Sequence, residues 1–298
     1  LPTKFPNESW SITSVGGPNN TTIFLFGGDN NHSSVYAIDI KNFNENYYNS
    51  VYNIDPIITG NLPELRRIGT SSVTNSLGQI LIFGGYRIKN DTLTWYNDTI
   101  VLDTVKLSWS IYINAPISRS GHTATLLNDG RILYIGGFDS SFNYVPMDQA
   151  SFKQISIYDT NTSSWNLSLA NGSIPSGRSE HSAVLVNKGA KIIICGGFRQ
   201  DSISPTPSLA ILTSEKVFTW VQQMVTGSIP PILYSHTAIL VEDLMVVALE
   251  NTTESRQLLD RFDLNIYILN VTNFTWLTTF TPPDVSAIAL PDIPSPNV

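Results

Sequence analysis

Four histidines and one cysteine are the residues of this chain that could ligate a metal or act as a nucleophile and base. His122, His181 and His236 fall in one repeated slot, "RSGH", "RSEH" and "LYSH", and His32 stands beside an Asn-X-Ser triplet. Metal chemistry needs side chains converging on one atom, and no His/carboxylate spacing suited to zinc or iron occurs. Repetition in a fixed slot instead predicts structural histidines that bond backbone near the start of a strand. Cys195 lies in "KIIICGGF", where parallel runs place Phe26, Phe83, Ile135 or Val247, so it reads as a small buried hydrophobe. A single cysteine excludes an internal disulfide framework and any Cys-x-x-Cys site. No Gly-x-Ser-x-Gly or His-Glu-x-x-His is present, and no helix follows the Gly-Gly pairs to make them phosphate cradles. The neighbouring carboxylates Glu242–Asp243 and Asp260–Asp263 fall in turns and read as solvated. The expectation is no catalytic set, no metal and no cofactor.

The residues suited to binding are aromatic and cationic. Trp95, Tyr96, Phe142 and Tyr144 lie in long segments that follow apolar runs, at 86–97, 138–154, 198–208 and 250–263. Long loops on a rigid scaffold are where recognition concentrates, and rings suit stacking on peptide or sugar. Arg67, Arg119, Arg178, Arg199 and Tyr234 complete the candidate binding face.

The elements that position these residues repeat. "IFLFGGD" at 23–29, "ILIFGGY" at 80–86, "ILYIGGF" at 132–138 and "IIICGGF" at 192–198 share one form, with a degenerate "LMVVALE" at 244–250. The pairs Gly27–Gly28, Gly84–Gly85, Gly136–Gly137 and Gly196–Gly197 recur every 52 to 60 residues. Trp109, Trp165, Trp220 and Trp276 recur at 56, 55 and 56 in another phase. Two unrelated residue types on one period establish an internal repeat. Each unit reads as four short strands rich in β-branched and aromatic residues, so the chain is all-β. Runs such as Ile80–Phe83 are apolar on both faces and need cover on both sides, which radially stacked sheets supply. The tryptophan opening the fourth strand is expected to fill the wedge between sheets.

On these residues the sequence resembles the kelch-repeat family of β-propellers over about residues 7–281, with units at approximately 7–56, 66–115, 119–170, 178–226 and 232–281. The resemblance implies four-stranded antiparallel blades, five of them visible here. In kelch adaptor domains the Arg slot binds acidic partner peptides, which by resemblance makes Arg67, Arg119 and Arg178 first candidates; the alternative is that each bridges blades structurally. It also implies weighing galactose-oxidase-like or other sugar-modifying enzymes, although Cys195 sits in a strand and the histidines would ring the axis. The pattern departs from the family where Ala248–Leu249 replace Gly-Gly, and where unit one has Trp10 in the His slot and Tyr52 in place of the tryptophan. No strand is left over to interlock the ends, so a six-bladed parent with a further N-terminal blade is expected.

Charge and composition bound the rest. Lys plus Arg is 17 and Asp plus Glu 24, a net −7, which excludes an electrostatic nucleic-acid binder. The apolar runs are too short for a membrane-spanning helix. Asn-X-Ser/Thr occurs at Asn7, Asn19, Asn20, Asn31, Asn90, Asn97, Asn161, Asn166, Asn171, Asn251, Asn270 and Asn273. Chance gives roughly five from this composition, so the excess favours a glycoprotein of the secretory pathway, extracellular or at the cell surface. The Pro-rich tail at 282–298 reads as a stalk, leading toward an anchor beyond Val298. The functional expectation is a non-enzymatic module binding a protein or glycan; the rivals are a propeller enzyme and an intracellular kelch adaptor.

Overall fold

The computed structural model describes residues 11–27, 34–41, 51–140, 149–201, 204–214, 217–231, 233–248, 251–252 and 266–277. Five four-stranded antiparallel meanders follow one another. Blade one is Ser11–Gly16, Thr22–Gly27, Tyr36–Asp39 and Val51–Asn53. Blade two is Ser71–Thr74, Gln79–Phe83, Thr99–Asp103 and Ser108–Tyr112. Blade three is Thr123–Leu126, Arg131–Ile135, Gln154–Asp159 and Ser164–Leu169. Blade four is Ser182–Val186, Lys191–Cys195, Leu209–Thr213 and Thr219–Val221. Blade five is Thr237–Val241, Leu244–Ala248, Tyr267–Asn270 and Thr275–Leu277. No α-helix occurs among the described residues.

The register repeats with the sequence. Ile80, Leu102 and Trp109 form one rung of blade two. Ile132, Tyr158 and Trp165 form the same rung in blade three, Ile192, Leu212 and Trp220 in blade four, and Met245, Leu269 and Trp276 in blade five. Side chains alternate across a strand, so each second strand feeds two cores. Ile80 and Ile82 join the core shared with blade one, while Leu81 and Phe83 join the core shared with blade three. Blades three and four, and four and five, close two further cores in the same way. Each large side chain so buried contributes on the order of 1.5–3 kcal/mol. Successive first strands touch in order from blade one to blade five, which fans the sheets about one axis as a five-bladed β-propeller.

The wedge residues are mostly as expected. Trp109, Trp220 and Trp276 are buried, while Trp165 is half-buried. Tyr52 does not replace the missing tryptophan of blade one: it is 53% exposed, and its neighbours Val51 and Ile54 face inward instead. In an antiparallel strand a shift of one residue reverses the face, and Tyr52 is on the outward one. Blade five ends the described series. Ile239 and Val241 are 56% and 50% exposed, where the equivalent Val184 and Val186 of blade four are 6% and 4% exposed against their neighbour.

The segment 86–97, expected as a loop, contains a hairpin of Tyr86–Lys89 and Thr92–Trp95. Asn90 and Asp91 form its two-residue turn with φ of 48° and 59°, the left-handed pair that such turns require and that Asn and Asp tolerate.

Candidate functional site

In four blades the segment entering the first strand pairs with the residues after the second strand of the same blade. Ile68 bridges Tyr86, Ser120 pairs with Phe138, Ser179 bridges Phe198, and Tyr234 pairs with Asn251. Both sets of connections therefore lie at one end of the propeller and are bonded to each other. Among the described residues, this pairing ties the bases of the two sets of connections together as a platform.

The three arginines of the repeated slot lie beneath that platform, not on it. Arg67, Arg119 and Arg178 are 2%, 0% and 0% exposed. Each Nη1 donates to the carbonyl of its own blade's first diglycine residue: Gly84 at 3.3 Å, Gly136 at 3.0 Å and Gly196 at 3.1 Å. The second glycine then donates its N–H to the slot carbonyl of the next blade, Gly85 to Arg119, Gly137 to Arg178 and Gly197 to Leu233, at 2.7–2.8 Å. The slot is thus a clamp joining strand end to strand end and blade to blade. A side chain on Gly84 would collide with the Arg119 carbonyl, and its φ is 77°, so glycine is required there.

The charges are satisfied differently in each clamp. Arg67 makes a bidentate pair with Asp98 at 2.6 and 2.8 Å, and its guanidinium lies 3.8 Å from the Tyr96 ring centroid. Arg178 donates to the carbonyls of Ser176, Thr206 and Pro207, and burial lowers its pKa to about 10. Arg119 keeps Nε and Nη2 without a hydrogen-bond partner; burial lowers its pKa while nearby Asp139 opposes the shift.

On the platform surface, Tyr86 and Trp95 meet at 5.7 Å between centroids, and Phe198 and Tyr234 at 5.8 Å. Trp95, Tyr96 and Phe198 are half-buried, while Tyr234 is buried. Arg199 pairs with Asp201, and Arg66 and Arg87 share Glu64. Phe142 and Tyr144 lie outside the described residues, as do Gly28, Trp10 and His32.

Near the axis a chain of backbone bonds links the blades: Gly121 N–H to Gly69 O at 2.7 Å, Glu180 N–H to Gly121 O at 2.9 Å, and Ser235 N–H to Glu180 O at 2.9 Å. Glu180 adopts φ of 55° where blades two and three have glycine. Its carboxylate accepts from the Ser235 hydroxyl, and with burial, the larger cause, it raises the pKa of Tyr86. Sequence reasoning passed over Glu180 as a spacer in "RSEH"; the signal was a carboxylate in a slot otherwise filled by Gly69, Gly121 and Ser235.

The histidines bond hydroxyls of the preceding blade, and His181 and His236 also engage the backbone of Ile135 and Cys195. His122 Nε2 lies 2.7 Å from Ser71 Oγ, His181 Nε2 3.2 Å from Thr123 Oγ1, and His236 Nε2 2.8 Å from Ser182 Oγ. Among the described residues no group of three or more His, Cys, Asp or Glu could hold a metal ion. Cys195 is buried in the second strand of blade four, as expected of a small hydrophobe.

The sequons divide by environment. Asn19, Asn20, Asn90, Asn161, Asn166, Asn171 and Asn273 are exposed, and Asn270 is half-exposed. Asn97 is half-buried, with its amide donating to Ala115 O at 2.8 Å. Asn7 and Asn31, the Asn251 side chain, and the tail at 282–298 lie outside the described residues.

Residues 144–287 match the family model described as the KLHDC2/KLHL20/DRC7 Kelch-repeats domain. The chain is 28% identical over 185 residues to human Kelch domain-containing protein 3, covering 59% of this chain and 44% of that protein. It is 27% identical over 165 residues to the Rho GTPase-activating protein gacHH of Dictyostelium discoideum, covering 55% and 10%. It is 23% identical over 226 residues to Acyl-CoA-binding domain-containing protein 5 of Arabidopsis thaliana, covering 74% and 32%. The chain thus spans less than half the length of each of these relatives. The fold is a β-propeller of five four-stranded blades among the described residues, and its second half is similar to kelch repeats.

Proposed function

We propose that this kelch-type propeller is a non-catalytic recognition module that binds another protein through the platform built from its 2–3 and 4–1 connections. The observation that carries the reading is the pairing of those connections in four consecutive blades, which holds Trp95, Tyr96 and Phe198 half-open on a paired base. Rings held by a scaffold bury large area at low entropic cost. The arginines contribute by fixing the platform from below, so the ligand surface is aromatic and hydroxylated rather than strongly cationic. Kelch propellers serve as protein-interaction modules, which supports the reading.

The secretory address is part of the same proposal. Its support is the excess of sequons, seven of which fall on exposed asparagines. A mobility and mass shift on deglycosylation of protein from its native host tests it, and an unmodified mass contradicts it.

The recognition reading is tested by affinity capture with three proteins: wild type, the pair Trp95→Ala and Arg199→Glu, and Glu242→Lys at the opposite end. Partners enriched by wild type should be lost with the first variant and retained with the second, at unchanged melting temperature. Equal capture by all three contradicts it.

A further inference from the structure

Three of the four tryptophan-bearing blades carry an extra parallel strand on their outer edge. Thr59 bridges Ser108 on blade two, Asn171–Gly172 pairs with Thr219–Val221 on blade four, and Thr226–Gly227 pairs with Thr275–Leu277 on blade five. The bonds recur too. The residue before the glycine donates to the carbonyl two positions ahead of the tryptophan: Thr59 to Leu107 at 2.8 Å, Asn171 to Phe218 at 2.9 Å, Thr226 to Phe274 at 3.1 Å. Ser173 and Ser228 donate to the carbonyls of Trp220 and Trp276 at 3.0 and 3.3 Å. The three caps share one sequence: Thr/Asn, Gly, Ser/Asn, Leu/Ile, Pro, at 59–63, 171–175 and 226–230. Their glycines have φ of 89°, 81° and 82°, and a Cβ on any of them would collide with the adjacent tryptophan carbonyl.

Blade three has no such cap among the described residues. The chain leaves blades two and three alike, since Ala115 N–H bonds Asn97 O at 2.7 Å as Ala170 N–H bonds Lys153 O at 2.8 Å. From Ala170 the clamp residue Arg178 is eight positions on, and from Val225 the corresponding Leu233 is also eight. From Ala115 to Arg119 it is four, with Pro116 in between and no glycine. The missing residues are those of the cap.

The consequences fall on one edge. The outer strand Ser164–Leu169 is six residues long, against five in blade two and three in blades four and five. Leu167 and Leu169 are 54% and 55% exposed, much as Ile111 and Ile113 of capped blade two are at 58% and 57%, so what sets this edge apart is its length and its peptide groups. No cap N–H among the described bonds reaches Ser163 O or Trp165 O. Beside this edge a cleft of about 720 Å³ opens between blades two and three, walled by Leu81, Tyr112, Leu127, Asn161 and Ser163. A long edge with apolar side chains and unpaired peptide groups is a template for a further strand.

We propose that the uncapped edge of blade three is a second docking site, which takes an extended segment of a partner protein as its fifth, parallel strand. The molecule states the chemistry of that segment three times over: Thr or Asn, then Gly, then Ser or Asn, then an aliphatic residue and Pro. The glycine lies against the Trp165 carbonyl, and the N–H groups flanking it reach Ser163 O and Trp165 O. The site is on the rim, away from the platform, and stands whether or not the platform binds protein; a glycan on Asn166, one of the exposed sequons of the edge strand, would close it.

The test uses the 298-residue protein from a bacterial host, which leaves Asn166 unmodified, and a dye-labelled peptide with the sequence of residues 169–176, LANGSIPS. Anisotropy should show saturable binding. A peptide with Val in place of its Gly should bind at least tenfold more weakly. A variant whose 115–118 linker is replaced by residues 170–177 caps its own edge, and it should lose peptide binding at least tenfold while melting no lower than wild type. Absence of saturable binding, equal binding of the Val peptide, or undiminished binding by the self-capped protein each overturns the proposal.

Discussion

His236 of blade five meets Ser182 of blade four with Nε2 2.8 Å from Oγ, and the same imidazole-to-hydroxyl joint recurs at the two preceding interfaces, His181 to Thr123 and His122 to Ser71. Burial, the main cause at all three, depresses the imidazole pKa: to about 3 for His122, to about 4 for His236, and well below 6.5 for His181.

These joints make stability fall with acid. Between pH 6.5 and about 4 the unfolded chain binds protons at these histidines and the folded chain does not, so stability is full above 6.5 and declines below it. Each histidine contributes a slope of up to ~1.4 kcal/mol per pH unit. Urea midpoints at pH 7.5, 6 and 5 should fall in that order, and His122→Gln should flatten the trend. A midpoint independent of pH over that range contradicts the joints.

Arg178 and Arg199 look alike in sequence, one position after "IPSG" and after "CGGF", yet their losses should differ. Arg178→Met strands the buried carbonyl of Gly196 and removes the bonds to Thr206 O and Pro207 O, the buried one costing about 1–3 kcal/mol. Arg199→Met removes a surface pair with Asp201, worth under ~1 kcal/mol. Chemical denaturation of both variants checks the ranking, and comparable losses contradict the clamp.

The wedge residues rank similarly. Trp220→Ala should cost about 3–5 kcal/mol, because its ring is buried and its Nε1 donates to Phe152 O at 2.8 Å. Tyr52→Ala should fall within ~1 kcal/mol, since the ring is outward. Differential scanning calorimetry distinguishes them.

The outer face of blade five should tolerate charge. Ile239→Asp should cost less than ~1 kcal/mol, while Val184→Asp, at the same register position of blade four, buries an unpaired carboxylate and should cost about 3 kcal/mol or more. Equal losses would show that Ile239 is covered in solution.

The sequence made the blades legible because two residue types obey one period for steric reasons: the diglycines admit the next blade's carbonyl, and the tryptophans fill the wedge. It did not reveal that the slot arginines are buried, since burial there depends on connections pairing above them, which no local pattern encodes. It placed Tyr52 in the tryptophan's position by alignment alone, and strand alternation turned the ring outward. The hairpin at 86–95 was readable from Asn90–Asp91 between alternating residues but was masked by expecting a loop. The cap motif at Gly60, Gly172 and Gly227 was also present, overlooked because it repeats in linkers rather than in strands.

The central claim, that the platform end is where partners bind, is tested most directly by site-specific photo-crosslinking. A photoreactive residue at position 95 or 199 should give crosslinked partner adducts in the presence of native extract, and the same group at position 242, in the turn between the first two strands of blade five at the opposite end, should give none. Adducts from position 242 with none from 95 and 199 would contradict the account.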